Sequence, residues 1–97
     1  MKVFIRQPMK DKTDEEIKKE RSAMIEEAKS LFGDDVEIID SFFEGAPHNA
    51  APLWFLGKSI QLLSTADAAM FAKGWSEARG CKMEYLAAKA YGIRILD

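Results

Sequence analysis

The spacing of apolar and polar positions changes period several times along the chain. Lys2 to Ile5 is a short run rich in β-branched and aromatic residues, and Gln7-Pro8 ends it because proline cannot continue a central ladder. This predicts a first strand. From Thr13 the period becomes helical. Thr13-Asp14-Glu15-Glu16 reads as a capping box, followed by Ile17, Met24, Ile25, Ala28, Leu31 and Phe32 on one face and charges on the other. A helix is expected from about Asp14 to Phe32, with Gly33 as a left-handed C-cap. Val36-Glu37-Ile38-Ile39 then supplies a second strand.

The stretch from Asp40 to Ala51 has neither period and is long for a connection in so small a chain, which fits a functional or interfacial loop. A second helix is expected to start near Pro52, whose fixed φ suits a first turn, and to run through Leu53, Leu56, Ile60 and Leu63. The continuous apolar run Ala68-Ala69-Met70-Phe71-Ala72 reads as a strand buried on both faces, broken by Lys73-Gly74-Trp75. A third helix over roughly Gly80 to Tyr91, with Gly92 as its C-cap, leads to a fourth strand at Ile93-Arg94-Ile95-Leu96. Such βαβαβαβ alternation implies an α/β domain over residues 1–97. Its four strands are expected to form an open parallel sheet in the order 2-1-3-4, a flavodoxin-like or Rossmann-like three-layer sandwich.

Composition narrows the function classes. The 97 residues are 47% hydrophobic and 31% charged, which suits one soluble core. With a net charge of −2 and interspersed signs there is no broad positive field, so nucleic acid is not expected as a partner. Apolar stretches are broken by Lys58, Gln61, Asp67 and Lys73, which argues against a membrane span. One cysteine, Cys81, and no leader-like amino terminus point to the cytoplasm. One histidine, His48, without a partner at ligand spacing gives no metal site, and no cofactor is implied. The phosphate-loop, dinucleotide-binding and C-x-x-C motifs are missing.

In an open parallel sheet a ligand binds beyond the carboxyl ends of the strands, where the strand order reverses. Here that position gathers Arg6-Gln7-Pro8-Met9, Asp40-Ser41-Phe42 and Lys73-Gly74-Trp75, with Arg79, Gly80 and Glu84 from the third helix. The helix start and the cations Arg6, Lys73 and Arg79 suit an anion; the alternative is that Arg6 and Arg79 pair with surface carboxylates such as Asp40 or Glu77. Glu84 is a possible nucleophile at an anomeric carbon, with Asp40, Glu44 or Asp67 as the acid for the departing base, or else simply a solvated helix carboxylate. Cys81 at a helix start either has a lowered pKa or fills the core. Among the aromatics Phe42, Phe43, Trp54, Phe55 and Trp75, the neighbours Trp54 and Phe55 cannot both face inward on one helix. One of them is therefore expected at a subunit interface or stacked on a base.

Three segments carry a resemblance: Lys2 to Met9 followed by Lys12 to Ile17, Ala66-Asp67-Ala68, and Lys73-Gly74-Trp75 with Ala78 to Glu84. Over nearly its whole length the chain resembles a family of small uncharacterised phage and prophage proteins. That family is itself similar to nucleoside 2-deoxyribosyltransferases and deoxynucleoside-monophosphate N-glycosidases. The resemblance implies Glu84 as nucleophile with Gly80 at the helix start, Asp67 as a second catalytic residue, a nucleoside-contacting loop after the first strand, and a homo-oligomer. Two functions follow as expectations: cleavage or transfer of the N-glycosidic bond of a nucleoside or nucleotide, or a phage protein that binds and sequesters a nucleotide without turning it over.

Overall fold

The computed structural model describes residues 1–40 and 48–96, Asp40 by its backbone alone. Its elements run β1 (Lys2–Arg6), α1 (Asp14–Phe32), β2 (Glu37–Asp40), α2 (Pro52–Leu63), β3 (Ala68–Phe71), a single 3-10 turn (Trp75–Glu77), α3 (Arg79–Ala90) and β4 (Arg94–Leu96). The four strands form one sheet in the order β2-β1-β3-β4, and every neighbouring pair is parallel. The α/β class and strand order are those expected from the alternation.

Local chemistry accounts for the helix boundaries. Thr13 Oγ1 accepts from the Glu16 amide at 3.1 Å, and the Glu16 carboxylate accepts from the Thr13 amide at 3.3 Å. This reciprocal cap satisfies two otherwise orphaned donors, and Asp14, Glu15 and Glu16 complement the positive end of the α1 dipole. Gly33 donates its amide to Lys29 and closes α1 with φ 93° and ψ 170°. The positive φ requires glycine, but the extended ψ is not the left-handed cap that was expected. α2 begins with Pro52, whose missing amide is one fewer orphaned donor at the helix start, and it has no side-chain cap because Ala51 offers no acceptor.

The pleat divides the core between the two faces of the sheet. Val3 and Ile5 of β1 and Ala68 and Met70 of β3 pack with Met24 and Ala28 of α1. Phe4, Ile39 and Ala69 point the other way and pack with Leu63 of α2 and Ala88 of α3. The result is three layers, with α1 on one face and α2 and α3 on the other. The step from β1 to β2 runs opposite to the steps toward β3 and β4, so a single crossover hand requires the helices on opposite faces.

The carboxyl ends of β1 and β3 therefore lie side by side, at the place where the sheet order reverses. Arg6 is paired in register with Phe71 at this edge, and Ala72 extends the ladder by donating to the Arg6 carbonyl. Gly74, left-handed with φ 91° and ψ 4°, then turns the chain into the 3-10 turn that precedes α3. The sequence pattern marks Lys73-Gly74-Trp75 as a break and as part of the crevice, but does not announce the 3-10 turn.

Candidate functional site

The site is built from the last residue of β1 and the first two turns of α3. Arg6 Nε donates to Glu84 Oε1 at 2.9 Å. Gly80 and Glu84 are four apart and share one face of the helix, so the guanidinium crosses the first turn to reach the carboxylate. A Cβ on Gly80 would stand 3.2 Å from Arg6 Nη2 and 3.7 Å from Glu84 Oε1. The missing side chain thus leaves the space the arginine occupies.

Glu84 is completely buried, whereas the Arg6 side chain keeps 21% of its surface. Burial is the main influence on Glu84 and pushes its carboxyl pKa above the ordinary 4.5, while Arg6 and the Ser59 hydroxyl pull it back. Ser59, on α2, is itself buried. No hydrogen bond closes between the two groups: Ser59 Oγ and Glu84 Oε2 are both buried without a partner among the described residues. One carboxylate oxygen is therefore held and the other is left free in a water-excluded place, an expensive arrangement unless it is used.

Two clefts meet at this point. A polar cleft of about 800 Å³ is bounded by Pro8 to Asp11, Gly74 and Glu77. An apolar cleft of about 710 Å³ lies between Pro52, Leu53, Phe55 and Leu56 of α2 and Met83 of α3, and Glu84 contributes to its wall. Arg6, Arg79 and Gly80 line both. The first turn of α3, which has no side-chain cap at Ala78, begins on their shared rim. The arrangement offers one site with an apolar compartment, a polar compartment and a buried carboxylate between them.

Of the residues expected here, Arg6, Arg79, Gly80 and Glu84 come together, and Pro8, Met9 and Gly74 line the polar cleft. Gln7 borders it too, but its side-chain amide donates to the Ile17 carbonyl at 3.1 Å and to Glu20 Oε1 at 3.0 Å. That amide ties the loop to α1 and is turned away from the cleft. Lys73 is displaced to the α1 side, in a smaller cleft with Glu20, Met24 and Glu27. Trp75 stacks on Tyr85 with centroids 3.7 Å apart and planes 11° from parallel, so one of its faces is already covered.

Asp67 is not brought to Glu84. It accepts a hydrogen bond from the Lys2 amide at 2.8 Å, at the amino end of the sheet, and the length of β1 separates it from Arg6 by roughly 13 Å. Cys81 is buried, and burial followed by the repulsion of Glu84 raises its thiol pKa despite Arg6, so the lowered pKa that a helix start suggested is overturned. His48 is exposed in a turn and lines neither cleft. The side chain of Asp40, and Ser41, Phe42, Phe43 and Glu44, lie outside the described residues. Phe55 is 41% exposed on the apolar cleft and Trp54 is half-buried against it edge-on, in line with the expectation that the two do not both face inward.

Ser59 and Tyr85 were not foreseen. Ser59 carries a usable signal, because Leu56, Ser59 and Leu63 follow the inward spacing of α2 and place a hydroxyl on an apolar stripe. Glu84 sits likewise between Cys81 and Ala88 on the buried stripe of α3. Among the described residues no group of three or more His, Cys, Asp or Glu side chains could hold a metal ion, and no helix is long and apolar enough to cross a membrane. No protein-family model matches the chain, and no curated protein matches it in sequence.

Proposed function

We propose that this protein binds a nucleoside or nucleotide at the carboxyl ends of β1 and β3 and cleaves or transfers its N-glycosidic bond, with Glu84 as the nucleophile. The observation that carries the reading is the state of Glu84: a fully buried carboxylate beside an apolar cleft, with one oxygen fixed by Arg6 and the other without a partner. Burial makes the carboxylate a stronger base and nucleophile, while Arg6 favours its charged form.

In this chemistry a Glu84 oxygen attacks the anomeric carbon as the bond to the base breaks and its electron pair moves to the base nitrogen, which takes up a proton. Water or a second base then attacks the glycosyl ester and releases Glu84. Asp11 and Glu77 are exposed in the polar cleft, so they can pass that proton to a base in the apolar cleft only through water. The apolar cleft suits the base, and the polar cleft with Arg79 suits the charged end of the ligand. The reading includes a cytoplasmic location, with a buried thiol at Cys81 that needs no disulfide partner, and a homo-oligomer.

A second reading, a phage protein that sequesters a nucleotide unchanged, draws on a different aspect of the same pair. Glu84 is out of reach of water and neutralised by Arg6, so the pair serves there as an inner wall of the site. A thermal-shift screen against nucleosides, nucleoside monophosphates and cyclic or adenosine-diphosphate-ribose-type nucleotides, with chromatography of each mixture, separates the two. Released base that disappears in Glu84→Gln supports the enzyme. A stabilising nucleotide recovered intact supports the binder, and no shift with any compound overturns both.

A further inference from the structure

We propose that Ser59 is a positioning residue for Glu84, its hydroxyl donating to the free carboxylate oxygen and fixing the carboxyl plane from the side opposite Arg6. The inference rests on two buried atoms. Ser59 Oγ and Glu84 Oε2 are the buried side-chain oxygens left without a partner among the described residues, and they belong to adjoining helices of the same layer. A hydroxyl can donate, an ionised carboxylate oxygen can only accept, and each is the complement the other lacks. A χ1 rotation of the serine is enough to turn its oxygen and proton toward a neighbour.

The rest of the surroundings leaves this role to Ser59. Arg6 reaches the carboxylate through Nε at Oε1, on the β1 side, and leaves Oε2 without a donor. Cys81, one turn earlier on α3, is a weak donor at best. Among the described residues the other buried polar side chain is Gln7, whose amide is committed to the Ile17 carbonyl and Glu20 on the α1 side. An oxygen with two acceptor positions can take one bond from Ser59 and keep the second for a ligand. The serine thus aims the carboxylate without blocking it. Ser59 lies near enough to act on the Glu84 carboxyl, in the direction of favouring its charged form, although no bond of good geometry is closed.

The proposal deepens the reading of Glu84 as the working carboxylate but is tested without substrate, so the two can fail separately. Glutamate labelled with carbon-13 at its side-chain carboxyl gives a Glu84 signal, assigned by its loss in Glu84→Gln, whose shift is followed against pH. A hydrogen bond to a charged group corresponds to an upward move of the Glu84 pKa by about one unit or more in Ser59→Ala, with Ser59→Thr close to wild type because it keeps the hydroxyl. If Ser59→Thr does not fold, urea unfolding of Ser59→Ala in the wild-type and Glu84→Gln backgrounds replaces it. A coupling of about tenfold or more in the folding equilibrium is then expected at a pH where Glu84 is ionised. A Glu84 titration unmoved by Ser59→Ala, or additive effects in the double-variant cycle, would overturn the assignment.

Discussion

Arg6 and Glu84 are 78 positions apart in the chain and 2.9 Å apart in the fold, and the space that lets them meet is the one Gly80 leaves empty. The pair joins the carboxyl edge of the sheet to the second turn of α3. Its two members are unequally placed: Arg6 still touches water and Glu84 does not. Removing one partner is therefore not equivalent to removing the other.

Arg6→Met strands a buried carboxylate. Breaking a fully buried pair from one side costs roughly 3–5 kcal/mol, and the solvent that still reaches Arg6 reduces this to about 2 kcal/mol. Adding Glu84→Gln to Arg6→Met should restore most of that loss in urea unfolding, because the stranded charge is gone. Equal stability of the single and double variants would contradict a charge-based role.

Gly80→Ala sets two effects against each other. Alanine gains roughly 0.8–1 kcal/mol of helix propensity, less at a first-turn position, while its Cβ at 3.2 Å from Arg6 Nη2 pushes the guanidinium aside. Stability is expected to change by less than about 1 kcal/mol. The Glu84 carboxyl pKa should rise further, because its arginine has moved. A Gly80→Ala protein with an unchanged Glu84 titration would show that the arginine adapts without cost to the pair.

The pH dependence has a definite sign. Glu84 has a higher pKa folded than its ordinary 4.5, so the native state holds the proton more tightly than the unfolded chain. Its contribution to stability is fully present below 4.5 and is lost as pH rises through the folded value. Wild-type protein should therefore lose stability relative to Glu84→Gln over that interval. Parallel stability curves for the two proteins from pH 4 to 8 would contradict the raised pKa.

Cys81 is 1% exposed, and its thiol is pushed up by burial. A disulfide reagent at about pH 8 should react only through opening of the fold, at a rate that follows denaturant-dependent unfolding. Rapid labelling of native protein at the rate of a free thiol would show that the polar cleft, which Cys81 borders, admits the reagent to the sulfur without unfolding.

The scaffold was legible because its boundaries are written in local chemistry. The Thr13–Glu16 capping box and Pro52 fix the starts of α1 and α2, and the alternation of Val3, Phe4 and Ile5 assigns the two faces of β1. The site was legible only in part. Arg6, Gly80 and Glu84 converge as the strand order implies, but the pairing of Arg6 with Glu84 is a tertiary contact that no spacing announces. Lys73 follows β3 and falls on the α1 side because the pleat alternation ends at the Gly74 turn. Asp67 precedes β3, and a parallel sheet puts such a residue at the end opposite the residues that follow its strands. The sealing of Glu84 depends on α2 packing against α3 and has no signature beyond a charged residue on a buried stripe.

The most direct test of Glu84 as nucleophile is intact-protein and peptide mass spectrometry after incubation with 2-fluoro-2-deoxyribosyl nucleosides and their 5-monophosphates, which slow breakdown of a glycosyl ester. The account predicts free base in the supernatant and a glycosyl mass increment on the peptide carrying Glu84, absent in Glu84→Gln. Unmodified protein with the nucleotide recovered intact, at concentrations that raise its melting temperature, would contradict the covalent step and leave a binding protein.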